Sequence, residues 1–125
     1  MGSSEMTAAP ASRLVILLNG GAPDAESTVM LALRYASTAA AMDVATEVHF
    51  VGPCVALLQR GVADGELLAQ LRQVVELDGE IFVCPVALDE QDMTEQDLIA
   101  EVKGVRGAPS LLAAGMAPGA RFMVF

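Results

Sequence analysis

Glu80-Ile81-Phe82-Val83-Cys84-Pro85 is a short apolar run closed by a thiol and a proline. Its length and β-branched content read as a buried parallel strand. Pro85 has no backbone N–H and stops further pairing. Strands of this kind end on the sheet edge where α/β proteins place ligand and reaction sites. A thiol at that point faces a crevice or packs into the core, and the two readings separate function from structure.

Working outward, Arg13-Leu14-Val15-Ile16-Leu17-Leu18 is a second apolar run, followed by the flexible turn Asn19-Gly20-Gly21-Ala22-Pro23. Asp24 or Ser27 can cap a helix from about Glu26 to Met42, with Val29, Leu33, Ala36 and Ala40 on one face. Glu47–Val51 reads as a strand broken by Gly52-Pro53, and Pro53 suits the first turn of a short helix from Cys54 to Arg60. Asp64 to Leu77 is the clearest amphipathic helix, with Leu67, Leu68, Leu71, Val74 and Val75 on one side. Beyond Cys84, the acidic stretch Ala87–Glu95 reads as a loop or short turn. Thr94 and Asp97 have the spacing of a capping pair ahead of a short apolar face at Leu98, Ile99 and Val102. A short strand near Val105, a helix from Pro109 and a last strand, Arg121–Phe125, complete the order. Strands alternating with helices predict an α/β three-layer sandwich around a mainly parallel five-stranded sheet. In a flavodoxin-like order, strand one lies between strands two and three.

The chain has 125 residues, 54% of them apolar, and a mean hydropathy of +0.50, which suits one domain with a real core from residue 13 to 125. Residues 1–12 read as a disordered lead-in without the features of a secretory signal. Sixteen acidic against seven basic residues give a net charge of −9. Binding to nucleic acid or to an anionic membrane surface needs basic clusters, and none is present. No apolar run reaches the ~18 residues of a membrane span. Two cysteines without a signal segment point to reduced thiols and the cytoplasm.

Much chemistry can be set aside. His49 is the only histidine and falls mid-strand, so it reads as structural. One His and two separated Cys do not make a zinc site, and a Cys-His device would need His49 at the sheet edge. The Asn19–Asp24 loop has neither GxGxxG order nor a Walker lysine. A phospho-receiver would need an Asp where Cys84 stands. The run of Asp89, Glu90, Asp92, Glu95 and Asp97 reads as a solvated surface.

The thiols remain. Cys54 starts a helix, where partial positive charge favours a thiolate; the plainer reading is a small residue capping the sheet. With strand one between them, the strand ends carrying Cys54 and Cys84 would stand about 9–10 Å apart. A disulfide needs Cα atoms within ~7 Å, so two free thiols are expected.

Taken together, Leu14–Gly21 with its following Ala-rich helix, the Glu47–Val51 strand, Gly52–Leu58, Ile81–Pro85 and Pro109-Ser110-Leu111 before the last strand make the chain resemble the DsrE/DsrF-like family of sulfur-relay proteins. That resemblance implies a five-stranded α/β layer fold, symmetric homo-oligomers such as trimers or hexamers, and no cofactor or metal. It implies a sulfurtransferase-like carrier whose cysteine at the end of strand three accepts sulfane sulfur as a persulfide, exchanging it with donor and acceptor proteins. Cys84 holds that position. Asn19, Gly20, Gly21, Cys54 and Pro85 are the candidates for the surrounding ligand pocket. The alternative is a non-catalytic oligomeric module that binds a small ligand or a protein partner, with Cys84 lining its pocket. A third reading is a redox sensor that joins Cys54 to Cys84.

Overall fold

The computed structural model describes residues 12–21 and 25–125. The expected lead-in up to Ala11 and the expected cap at Asp24 lie outside the described residues. Five parallel strands form one sheet: β1 (Arg13–Leu18), β2 (Ala45–Phe50), β3 (Glu80–Val83), β4 (Gly104–Val105) and β5 (Ala120–Val124). Four helices accompany them: α1 (Ala25–Ala41), α2 (Gly65–Glu76), α3 (Pro85–Glu90) and α4 (Ala108–Gly115). Two 3-10 turns, Pro53–Leu58 and Glu95–Asp97, fill the connections.

The α/β class is the expected one, but the strand order corrects the flavodoxin-like expectation. The order is β4-β3-β2-β1-β5, so β2, not β1, lies beside β3. Right-handed crossovers fix the hand of each connection, not the direction in which the sheet grows. Here the chain steps from β1 to β2, β3 and β4 in one direction. Those steps put α1 and α2 on one face, where they pack on each other. The chain then returns to the far side of β1, and this reversal puts α4 on the opposite face against β1 and β5.

The main core lies under α1 and α2. Ile16, Leu18, Val48, Phe50, Ile81 and Val83 meet Val29, Leu33 and Ala36 of α1 and Leu67, Leu71 and Val74 of α2, all buried. Each of the larger of these side chains contributes roughly 1.5–3 kcal/mol by leaving water, Ala36 less. Alanines at 32, 36 and 40 let α1 lie close to the sheet. The second face is thinner. There Gly115 of α4 touches the Phe122 ring so closely that a Cβ would stand 1.9 Å from it.

α1, α2 and α3 share one closure. Two residues past each helix an aspartate takes the left-handed conformation: Asp43 (φ 63°), Asp78 (φ 70°) and Asp92 (φ 55°). The next amide then reaches back to a helix carbonyl: Val44 to Ala39 (3.1 Å), Gly79 to Val74 (2.8 Å) and Met93 to Leu88 (2.9 Å). These bonds satisfy carbonyls that the helix end leaves free.

Other local expectations also shift. Ala87–Glu95 is not a loop throughout, because α3 begins at Pro85 and buries Ala87 and Leu88 beneath its acidic surface. Ser27 lies inside α1, so it is not the cap. Cys54 lies in a 3-10 turn, not at the start of an α-helix. Leu98 belongs to no helix; it bridges Gln59, and Ile99 donates to the Leu58 carbonyl at 3.0 Å. Thr94 and Asp97 do form a capping box, on the 3-10 turn.

Candidate functional site

Cys84 follows the last residue of β3 and stands at the N-cap of α3 in extended conformation. Its peptide is held from both sides. The Cys84 N–H donates to the Phe50 carbonyl of β2 at 3.0 Å. The Val83 carbonyl, the other half of that peptide, accepts from the Arg106 N–H just past β4 at 2.9 Å. Pro85 turns the chain into α3, and Gly107 lies beside the Pro85 ring. The thiol is half-buried, with one side against the core. It is therefore reachable from solvent but not loosely placed.

Cys54 is a different kind of thiol. It is 1% exposed, and its Sγ–H donates to the Leu18 carbonyl at 3.3 Å. Burial pushes its pKa up to about 11, overcoming the lowering effect of nearby backbone amides. The two thiols are both free, but not for the expected reason. β2 and β3 are neighbours, so two strand spacings do not separate their ends. Instead Cys54 turns its sulfur toward β1, on the side of β2 away from β3.

The pocket candidates divide into two groups. Asn19 and Gly20 follow β1 and pack on the turn after β2. A Cβ on Gly52 would stand 2.2 Å from Asn19 Oδ1, and one on Gly20 (φ 57°) 2.5 Å from Cys54 Cβ. The two turns interlock, and glycine is needed at both positions. Gly21 is exposed beside them. Cys84 and Pro85 form the second group with Arg106 and Gly107. The β1 end is thus separated from Cys84 by the β2 end. The reversal in strand order falls between β1 and β5, where α/β sheets open a crevice. There the Asn19 N–H donates to the Phe125 carbonyl at 3.1 Å, and Tyr35 stacks against Phe125 with ring centroids 5.9 Å apart.

On the α4 face lies a charged cluster that sequence reading did not find. Glu47, 2% exposed, accepts from Arg13 of β1 and from His49 Nε2 at 2.9 Å. Arg106 NH1 lies 3.8 Å from Glu47 Oε1, and its guanidinium sits 3.9 Å above the Phe82 ring. His49 also packs on Phe82, at 5.1 Å between centroids. Burial lowers the His49 pKa from its usual 6.5, outweighing the hydrogen bond and charge of Glu47. The expected structural role of His49 fits this neutral, buried ring. Arg106 was invisible as a member because only the pairing of β3 with β4 brings it there.

Elsewhere, an open depression of about 470 Å³ is lined by Val75, Asp78, Gly79, Glu80, Ile81, Ala100, Glu101 and Lys103. It lies at the N-terminal end of β3, opposite Cys84, and Lys103 pairs there with Glu80. Among the described residues no group of three His, Cys, Asp or Glu could hold a metal ion. Among them, too, no helix is long and apolar enough to cross a membrane.

An all-parallel five-stranded layer with one accessible thiol at the end of its third strand defines a small α/β protein of the thiol-bearing kind. The chain belongs to the DsrE/DsrF-like family, whose model matches residues 13–125. Its fold is similar to that of the ychN protein from E. coli, with a TM-score of 0.75 at 19% identity over 91% of this chain and 99% of that one. It is also similar to MTH1491 from Methanobacterium thermoautotrophicum, a protein of unknown function, with a TM-score of 0.72 at 21% identity over 90% and 98% of the two chains. BT1422 from Bacteroides thetaiotaomicron, likewise of unknown function, gives 0.70 at 15% identity over 91% and 95%. No curated protein matches the sequence.

Proposed function

We propose that the protein is a cytoplasmic sulfur carrier that accepts sulfane sulfur on Cys84. The observation that supports this reading is the contrast between its thiols: Cys84 is accessible at the end of β3, whereas Cys54 is buried and hydrogen-bonded. Membership of the DsrE/DsrF-like family supports it as well. In the reaction, the Cys84 thiolate attacks the outer sulfur of a donor persulfide, R–S–SH. A Cys84 S–S bond forms, the donor S–S bond breaks, and R–S⁻ leaves. An acceptor thiolate then attacks the terminal sulfur of Cys84–S–SH and releases the Cys84 thiolate. No net oxidation occurs, and no cofactor is required.

The test is intact-protein mass spectrometry after brief treatment with polysulfide. An adduct of one sulfur atom should form on wild type and on Cys54→Ala but not on Cys84→Ala. An adduct that survives Cys84→Ala sinks the proposal.

The second reading, a non-catalytic oligomeric module, is favoured by the β5 edge. Phe122, Met123 and Val124 are exposed there, with Leu112 on α4 and Met116 just past its end. From Val102 to Phe125 the sequence has no Asp or Glu, so this surface escapes the repulsion that a net charge of −9 imposes elsewhere. We read it as the surface through which copies associate. The two readings are compatible, and a Cys84→Ala protein with intact binding and assembly would leave only the second.

A further inference from the structure

The charged cluster around Glu47 and the thiol of Cys84 are connected through one residue, Arg106. Its backbone N–H holds the Val83 carbonyl, half of the peptide that carries Cys84. Its side chain reaches back across the sheet, lies on Phe82 and approaches Glu47. The strand just before Arg106, β4, is only two residues long, Gly104–Val105, and sits at the edge of the sheet. Two residues of parallel pairing give an edge strand little hold of its own. The next residue, Gly107, adds no side chain, and α4 starts directly after it. The start of β4 is held by the Lys103 N–H on the Ile81 carbonyl and by Val105 against the core, and its end, nearest Cys84, by Arg106 through its N–H on Val83 and its side chain on Phe82 and near Glu47. Glu47 is itself fixed by Arg13 and His49, so the anchor is rigid.

We infer that Arg106, locked by Glu47 and Phe82, is a positioning residue for Cys84: it clamps the Val83–Cys84 peptide and so sets the direction of the thiol. This rests on Cys84 being the sulfur-bearing residue. Arg106 does not touch the sulfur in this role. The guanidinium over the Phe82 ring makes a cation–π contact, which gains strength as it is desolvated. The approach of two cationic groups and a histidine to one buried carboxylate keeps each partner from swinging away. Loss of the clamp leaves the Cys84 amide bonded on the β2 side only.

Two readouts test the clamp. In wild type, hydrogen exchange should show the Arg106 and Cys84 amides protected to a similar degree; a fast-exchanging Arg106 amide overturns the inference without any variant. In Arg106→Ala, exchange at Cys84 should rise about tenfold at a temperature well below the melting point. Sulfur loading by polysulfide should fall about tenfold in the same protein, because small displacements of a reacting group are costly. Arg106→Lys keeps a cation over Phe82 and should restore part of both. Glu47→Gln, which keeps an acceptor but removes the charge, should shift both in the same direction as Arg106→Ala. A variant that lowers only the melting temperature, with Cys84 exchange and loading unchanged, shows a purely structural residue and overturns the inference. If wild type takes up no sulfur, the sulfur-carrier reading fails, and the exchange comparison still decides the clamp.

Discussion

The two cysteines show how the same side chain acquires opposite characters from its surroundings. Cys54 donates a hydrogen bond to the Leu18 carbonyl in a site too dry for a thiolate. Cys54→Ala should leave sulfur uptake intact and lower stability by about 1–2 kcal/mol in urea unfolding, through a small cavity and the lost thiol hydrogen bond, while the Leu18 carbonyl keeps its bond from the Val51 N–H. Gly20 meets that thiol so closely that any side chain must push it aside, and its positive φ adds strain. Gly20→Ala should therefore cost about 2 kcal/mol or more, read from the same unfolding curves. His49 gives a prediction in pH. Its folded pKa lies below 6.5, so on acidification the unfolded chain takes up a proton that the folded one resists. Its contribution is fully present above about pH 6.5 and is lost as pH falls toward the folded value. Urea unfolding between about pH 7.5 and 5 should show that slope, and His49→Gln should flatten it.

At the level of elements, the three aspartates that close α1, α2 and α3 carry a conformational cost that glycine does not. Asp43→Gly, Asp78→Gly and Asp92→Gly should each raise stability by about 0.5–1 kcal/mol, measurable as a higher melting temperature. A loss instead would mean that these carboxylates do more than close a helix. The apolar runs made β1 and β3 legible, since strands covered on both faces cannot carry long polar stretches, and β2 was marked by its β-branched and aromatic residues and the Gly52-Pro53 break. α3 was not legible, because Asp89 and Glu90 outweigh the Ala87 and Leu88 pair that faces inward. The Leu98–Val102 segment failed for the opposite reason. Its apolar residues are spaced as on a helix face, yet Leu98 and Ile99 pair with the Pro53–Leu58 turn and its neighbour. The candidate site was half readable: Cys84 and Pro85 announce a strand end, but Arg106 and Glu47 meet only through a pairing that periodicity does not reveal.

For the whole molecule, charge is divided unevenly. The acids lie before Val102, and the last strand and its helix carry none. If copies associate through the β5 edge, Phe122→Asp together with Val124→Asp should release monomers in light scattering while leaving the far-UV spectrum unchanged. Unchanged mass would move the interface elsewhere. The strand order was the least legible feature, because sequence gives the alternation of elements but not the direction in which the sheet grows. That order also has a kinetic side. β1–β2, β2–β3 and β3–β4 each join neighbours along the chain, whereas Arg13 must wait for Ala120 before β5 can be added. A four-stranded unit can thus collect from local contacts, and the last strand docks late against the cost of closing almost the entire chain into a loop. Mutations in α4 and β5 should then speed unfolding and barely slow folding. Until that docking, the outer side of β1 is an unpaired apolar edge, and nascent molecules are most exposed to one another's β1 strands.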